Sequence, residues 1–324
     1  MSSAQLDAPV AETSRSPRRG RRRSSPQQRS DTRAALLFIS PWIIGFLVFT
    51  LWPVIYSAYL SFTDYDVINP PTYVGLDNYR EMLEDDKVRL ALRNTFVFTL
   101  MSVPAKVIVS LALATLLKQA ARATGFFRTA FFLPKMTPPV AIGVLLLLLF
   151  NGQQGLINEF LGIFGINGPA WTTDPNWVKP GLVLMSLWTI GATIIIFLAA
   201  LQNVPQELYD SAMVDGASPW QRFWRITVPM ISPAIFFVVI INTIDSLQSF
   251  TEAYTAFFGA GNSTYSNDAA LFYAIYLFQQ AFEFLQMGYA SALAWLMFVI
   301  VMVVTALQFW GSKKFVYYEG GDNT

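Results

Sequence analysis

Residues 207–229 read ELYDSAMVDGASPWQRFWRITVP, a polar insert between two segments apolar enough to lie in lipid. Glu207 to Val214 are helix-forming residues with acids near the start, where the helix dipole favours negative charge. Asp215-Gly216 breaks that helix, because glycine accepts backbone angles that other residues resist. Ser218 then offers an N-cap and Pro219 suits the first helical position. Trp220, Phe223, Trp224 and Thr227 follow at i, i+3, i+4 and i+7, an amphipathic stripe, and Pro229 is expected to end the element. The insert therefore reads as helix, tight turn, helix. An interfacial helix anchored by its tryptophans explains Trp220 and Trp224. It does not explain the small side chains at Ser211, Ala212 and Gly216, which permit close approach by a partner, so a protein-docking element is the sharper reading.

Outward from the insert, the chain of 324 residues is 54% hydrophobic and only 13% charged, where a soluble domain carries about a quarter. Lipid is the implied solvent. It has no cysteine and no histidine, which excludes disulfides, thiolate nucleophiles, imidazole metal sites and the usual near-neutral proton shuttle. Most enzyme classes are poor fits, and no metal site is expected. Eight of the 22 basic residues fall between Arg15 and Arg33, in a tail rich in Ser, Pro and Gln. Because this tail leads directly into an apolar segment, it reads as a cytoplasmic topological anchor and not as a nucleic-acid arm. A cleaved signal peptide is not expected, since the apolar run is too long and starts only near Ala34.

A bilayer core of about 30 Å needs roughly 20 apolar residues in a helix. Such segments occur at about 35–62, 95–117, 126–150, 178–201, 233–258 and 288–311, the third broken by Pro134, Pro138 and Pro139. The expected fold is an all-α membrane protein with six transmembrane helices. Lys and Arg in the connections set its orientation. The N-terminal tail, the link with Lys118, Arg122 and Arg128, the insert, and the tail with Lys313 and Lys314 fall on one side, placing both termini and the insert in the cytoplasm. The first outer loop, 64–93, holds seven acids against four bases. The outer segment DAALFYAIYLFQQAFEFLQ, 268–286, is expected to be a helix lying on the membrane or packed on the bundle. The organisation is thus a disordered basic tail at 1–33, a membrane domain at 34–312 with the insert at 203–232, and a cytoplasmic tail at 313–324.

The insert also resembles a known family. Asp210-Ser211-Ala212, then Gly216, then Ile226-Thr-Val-Pro229 is similar to the EAA-type signature of bacterial binding-protein-dependent ABC importer permeases. The longer run from Pro205 to Pro229 looks like the carbohydrate-uptake branch. YVGLDNYREM (73–82), LRNTFVF (92–98), FFRTAFFLP (126–134) and MGYASALAW (287–295) occur in the expected order, and the GLDNY segment favours the F-type over the G-type subunit of maltose importers. Two departures are Asp210 in place of the usual Glu, and GAGNST (259–264) in place of the Gly-Gly-Pro often found after the fifth span. The resemblance implies a type I ABC importer permease in the bacterial inner membrane, surrounded by lipid. It implies a second homologous permease, two ATPase subunits and an extracytoplasmic sugar-binding protein. Glu207, Asp210, Ser211, Ala212, Asp215, Gly216, Trp220 and Phe223 would then form the coupling helix region that seats in the ATPase. The chain has no GxxxxGK[ST] phosphate loop, so ATP and Mg are expected on the partner and no cofactor on this chain.

Ionisable groups within a span are costly and mark candidate sites. In the fifth span Asn242, Asp245, Ser246, Ser249 and Glu252 share one helical face, with Gln248 beside it. That face is either polar glue between helices or the wall of an aqueous path. Two carboxylates with no basic residue in the same span favour the path, and carboxylates and amides suit sugar hydroxyls. Phe250 and Tyr254 could stack on sugar rings. The resemblance brings the sugar-contacting positions near Asn242, Asp245, Ser246 and Ser249, and in the fourth span adds Trp188, Thr189 and Thr193. Lys106 and Lys135 are further intramembrane charges with no assigned role. The competing reading within transport is an ion-coupled carrier using Asp245 or Glu252, which leaves the insert without a purpose. A membrane-embedded enzyme would need those two carboxylates as an acid–base pair, and seven residues of helix separate them by roughly 10 Å along the axis.

Overall fold

The computed structural model describes residues 26–119, 124–152, 154–258 and 267–313. The chain divides into two units, 1–56 and 57–324, the division falling within a helix. The first unit begins with α1 (Pro26–Phe46), continues through a π-helical turn at Leu47–Leu51 and enters α2 (Trp52–Leu60). The candidate span Ala35–Leu60 has none of its apolar window buried within the chain. Leu37, Phe38, Trp42 and Phe49 all lie open along it, an apolar surface of the kind that lipid covers.

The second unit opens with a minimal hairpin, β1 (Thr63–Asp64) antiparallel to β2 (Thr72–Tyr73). Helix α3 (Asp77–Glu84) follows, and its buried Asn78 ties it down by donating to the carbonyls of Ser61 and Thr63. The 34-residue α4 (Asp86–Gln119) is the axis of the unit. Around it run α5 (Thr124–Phe132), α6 (Pro139–Leu149), the short outer α7 (Leu156–Ile163), α8 (Pro175–Ser186) and α9 (Gly191–Gln202). Helices α10 (Gln206–Val214), α11 (Pro219–Arg222) and α12 (Val228–Met230) form the insert. The chain ends in α13 (Ser232–Leu247), α14 (Thr251–Phe257), α15 (Asn267–Ala270), α16 (Tyr273–Phe278) and the 26-residue α17 (Met287–Ser312).

Among the described residues four helices are long and apolar enough to cross a membrane: Ala35–Leu60, Asp86–Lys118, Ser232–Phe257 and Met287–Ser312. Two bent pairs raise the total to six if each is one span. The α5–α6 pair turns through 94° at the proline cluster, as its sequence leads one to expect. The α8–α9 pair, within the segment read as the fourth span, turns through 57°. No proline sits at that bend. It is made by a 3₁₀ turn at Leu187–Thr189 and by Gly191, where a Cβ would stand 2.0 Å from the Phe131 carbonyl oxygen. Only glycine lets α9 approach the α5 backbone so closely. The fifth span is also interrupted. Gln248 to Phe250 leave the helix between α13 and α14, so 233–258 is not one uniform helix.

Apolar packing falls into two clusters strung along α4. One gathers Phe98, Leu146, Phe150, Phe257, Phe272 and Leu293. The other gathers Ala114, Leu117, Ile194, Phe197, Leu198 and Ile231. The outer segment is packed on the bundle, not laid on a membrane surface: Phe272, Tyr273 and Ile275 are fully buried. Its polar groups find partners there, Tyr273 donating its hydroxyl to the Leu293 carbonyl (2.8 Å) and Asn94 donating to the Asp268 and Leu271 carbonyls. Residues 1–25, the GAGNST segment and the tail beyond Lys313 lie outside the described residues, so the expected tail conformations and the shape of loop 259–266 go undescribed.

Candidate functional site

Between the two apolar clusters lies a polar cavity of about 350 Å³. Lys106 stands on α4 midway between Phe98 and Ala114, eight residues from each, or about 12 Å at 1.5 Å per residue. Its lining also includes Lys135, Ser186, Thr189, Asp245, Ser246, Gln248, Ser249, Phe250 and Glu252. A second cavity of about 190 Å³ shares Lys106, Lys135, Ser186, Thr189 and Asp245, and adds Thr193 and Asn242.

The cavity is positioned by helix interruptions. Lys135 sits in the 3₁₀ turn at the 94° bend, Thr189 in the turn at the 57° bend, and Gln248, Ser249 and Phe250 in the break between α13 and α14. Non-helical backbone at membrane depth is tolerated only inside protein or beside water, because an unpaired backbone group in lipid costs several kcal/mol. All three irregular stretches border one hollow. Close packing holds the frame: a Cβ at Gly143 of α6 would meet the Glu252 carbonyl at 2.8 Å. Ser102 of α4 and Ser246 of α13 share a buried hydroxyl hydrogen bond of 2.8 Å, and Gln308 of α17 donates to Thr243.

The residues singled out by sequence separate into three groups. Asp245 and Gln248 are exposed to the cavity, and Ser249, Glu252, Phe250 and Thr189 line it half-buried. Asn242, Ser246 and Thr193 are buried, and the first two have partners within the bundle, Asn242 donating to the Val238 carbonyl of its own helix at 2.9 Å. Trp188 joins the lining of neither cavity and is 57% exposed, because the 3₁₀ turn directs it away while Thr189 faces inward. Phe250 stacks on Tyr254 (ring centroids 5.1 Å), and both meet Phe278, so these rings pack on each other.

Sequence reasoning left Lys106 and Lys135 without a place. The cost of charge within a span marked them, but only folding brings α4 and the third-span bend to the fifth-span acids. Lys106 is attracted by Asp245 and Glu252 and repelled by Lys135. No ion pair within 4.0 Å joins them among the described residues. A charge facing lipid at the bilayer centre costs about 3 kcal/mol even on the mildest scale, so four such groups require an aqueous cavity.

The insert forms as its caps dictate. Gly216 at φ +77° closes α10 in a Schellman motif, with Ala217 N–H donating to Ala212 and Gly216 N–H to Met213. Ser218 and Gln221 make a reciprocal capping box, with Pro219 in the first turn. The helical run that starts at Pro219 ends at Met230, one residue beyond Pro229. A π-helical segment at Phe223–Thr227 lies within that run, immediately before Val228 and Pro229. Glu207, Asp210, Ser211, Asp215, Gly216 and Trp220 are exposed, and Ala212 and Phe223 are half-buried. Leu208, Ser211, Ala212, Asp215, Arg225 and Met230 border an open hollow of about 350 Å³. The insert is bound to the bundle at its base. Lys118 of α4 donates to the Leu201 carbonyl at the end of α9 and lies 5.1 Å from the Tyr209 ring, whose hydroxyl bonds Thr227 at 2.8 Å.

Residues 106–316 match the family model described as "Binding-protein-dependent transport system inner membrane component". The chain belongs to that family. It is 42% identical to the probable ABC transporter permease protein YesP of Bacillus subtilis, across 90% of this chain and 94% of that one. It is 33% identical to the lactose transport system permease protein LacF of Rhizobium radiobacter (86% and 93% covered). It is 32% identical to the sulfoquinovosyl glycerol transport system permease protein SmoG of Agrobacterium fabrum (86% and 89% covered). Among solved structures, a chain of a bacterial alginate ABC transporter in complex with an alginate pentasaccharide-bound periplasmic protein superposes with a TM-score of 0.76 at 23% identity, covering 88% of this chain and 96% of that one. The fold is that of a type I ABC importer permease, and the chain is an inner membrane transport component, not an enzyme.

Proposed function

We propose that this chain is the permease subunit of an ATP-driven carbohydrate importer, supplying half of the path through which the solute crosses. The observation that carries the reading is the convergence of three helix interruptions on one polar cavity, in a chain that also bears an exposed, capped insert. Relatives named for lactose and sulfoquinovosyl glycerol transport support a carbohydrate solute. Asp245, Gln248, Ser249, Glu252 and Thr189 present acceptors and donors for hydroxyl groups. A second homologous permease completes the path, two ATPase subunits hold ATP and Mg, and an extracytoplasmic sugar-binding protein delivers the solute.

The insert is the coupling element. ATPase closure moves α10 and α11; the Tyr209–Thr227 bond ties the two halves of the insert together, and Lys118, against the Tyr209 ring and on the Leu201 carbonyl, carries that motion to α4 and α9. The ATPases drive the cavity from one side to the other only through a difference in how the two conformations contact them. A nearly complete switch needs about 5.5 kcal/mol of such difference. The ion-coupled reading of Asp245 and Glu252 has no support from a family of binding-protein-dependent transporters. Uptake measured with Asp245→Ala and Ser249→Leu tests the site: transport falls while membrane abundance holds, and normal kinetics in both would remove the cavity from the path.

A further inference from the structure

We propose that the solute is an acidic saccharide, its anionic group held in the cavity by Lys135 and Lys106. This rests on the carbohydrate-importer reading above and narrows it to a substrate class. Both cavities share the two lysines, so a solute moving between them passes the pair of ammonium groups. Lys106 is matched by the attraction of Asp245 and Glu252, so the ammonium left to meet a solute anion is that of Lys135. Hydroxyls are served by the carboxylates, amide and hydroxyls that line the same cavity.

The two lysines are not equivalent. Lys106 has Asp245 and Glu252 as attractive neighbours, which offset its charge. Lys135 is exposed, and among the described residues its ammonium has no hydrogen bond or ion pair. Its backbone is fixed by Pro134, Pro138 and Pro139 around the 94° bend, while its flexible stem lets the charge follow a moving ligand. Like charge keeps a solute anion away from Asp245 and Glu252 and on the ammonium groups, leaving the sugar hydroxyls to the acids. An ammonium is a point charge, so carboxylate, sulfonate and phosphate share the required chemistry.

The test offers cells carrying the complete importer an equal mixture of neutral glucan oligosaccharides, polyuronate oligosaccharides, sulfated oligosaccharides and hexose phosphates. Accumulated solutes are identified by mass spectrometry against a strain lacking this chain. Accumulation confined to one or more anionic classes is expected, and which class identifies the anion. Lys135→Gln and Lys106→Gln should each lower that uptake about ten-fold or more, while Lys135→Arg keeps most of it. Importer-dependent uptake of neutral oligosaccharides at rates matching the anionic ones overturns the proposal and leaves the importer reading standing. So does anionic uptake that is indifferent to both lysines. Absence of any importer-dependent saccharide uptake overturns the importer reading and this inference with it.

Discussion

At the scale of single residues, one carboxylate ties the end of α3 to α16 and α17. Asp85 accepts from the hydroxyls of Tyr276 and Tyr289 and from the Lys87 backbone N–H. Partial burial pushes its carboxyl up, but those hydrogen bonds outweigh burial and leave it below the ordinary carboxylate value. A depressed value in the folded state means that the contribution is fully present above about pH 4, the unfolded value, and is lost as pH falls through the lower folded one. Thermal unfolding in detergent should therefore show Asp85→Asn less stable than the parent at pH 7, with the gap closing at the acid end. A gap that persists undiminished at low pH contradicts this. Tyr276→Phe should cost about 1 kcal/mol in the same measurement. In the cavity, Asp245→Asn keeps shape and removes charge, so an uptake loss of about ten-fold would assign the carboxylate itself to solute handling.

At the scale of elements, the legible parts of the fold are those whose causes are local. Three prolines announce the third-span break, and Gly216, Ser218 and Pro219 announce the shape of the insert. The fourth-span bend is illegible because LWTIG is compatible with a helix. It arises where Gly191 meets the Phe131 backbone, sixty residues away. The fifth-span face is partly legible: its polar residues do reach the cavities, but the break at Gln248–Phe250 changes which of them are open. Gly191→Ala should destabilise the protein by several kcal/mol, since a backbone must shift to admit the methyl. Gly162→Ala, where nothing lies within 4 Å, should be neutral or gain up to about 1 kcal/mol. Equal thermal midpoints for the two variants would contradict the close-approach account. Gly216→Val, at φ +77°, should leave the protein in the membrane while ATP hydrolysis no longer follows solute supply. Tyr209→Phe should weaken the same coupling by removing the bond to Thr227.

For the whole molecule, a lever and a hollow share α4 and α9. The second cluster, with Leu117, Leu201 and Ile231, lies between insert and cavity, so movement at one end is carried by packed side chains to the other. The two lysines belong to this scale: each is visible in the sequence as a misplaced charge, and only the assembled bundle shows that they face the same water as Asp245 and Glu252. The chain contains no cysteine, so a single one at Val214, 89% exposed at the tip of α10, reports on the lever without background. Crosslinking from that position in intact membranes, with and without ATP, should join the chain to an ATPase subunit on the cytoplasmic side with a yield that changes with nucleotide. Modification of Val214→Cys by an impermeant reagent from outside the cell, or solute transport by an assembly that yields no such crosslink, would contradict it.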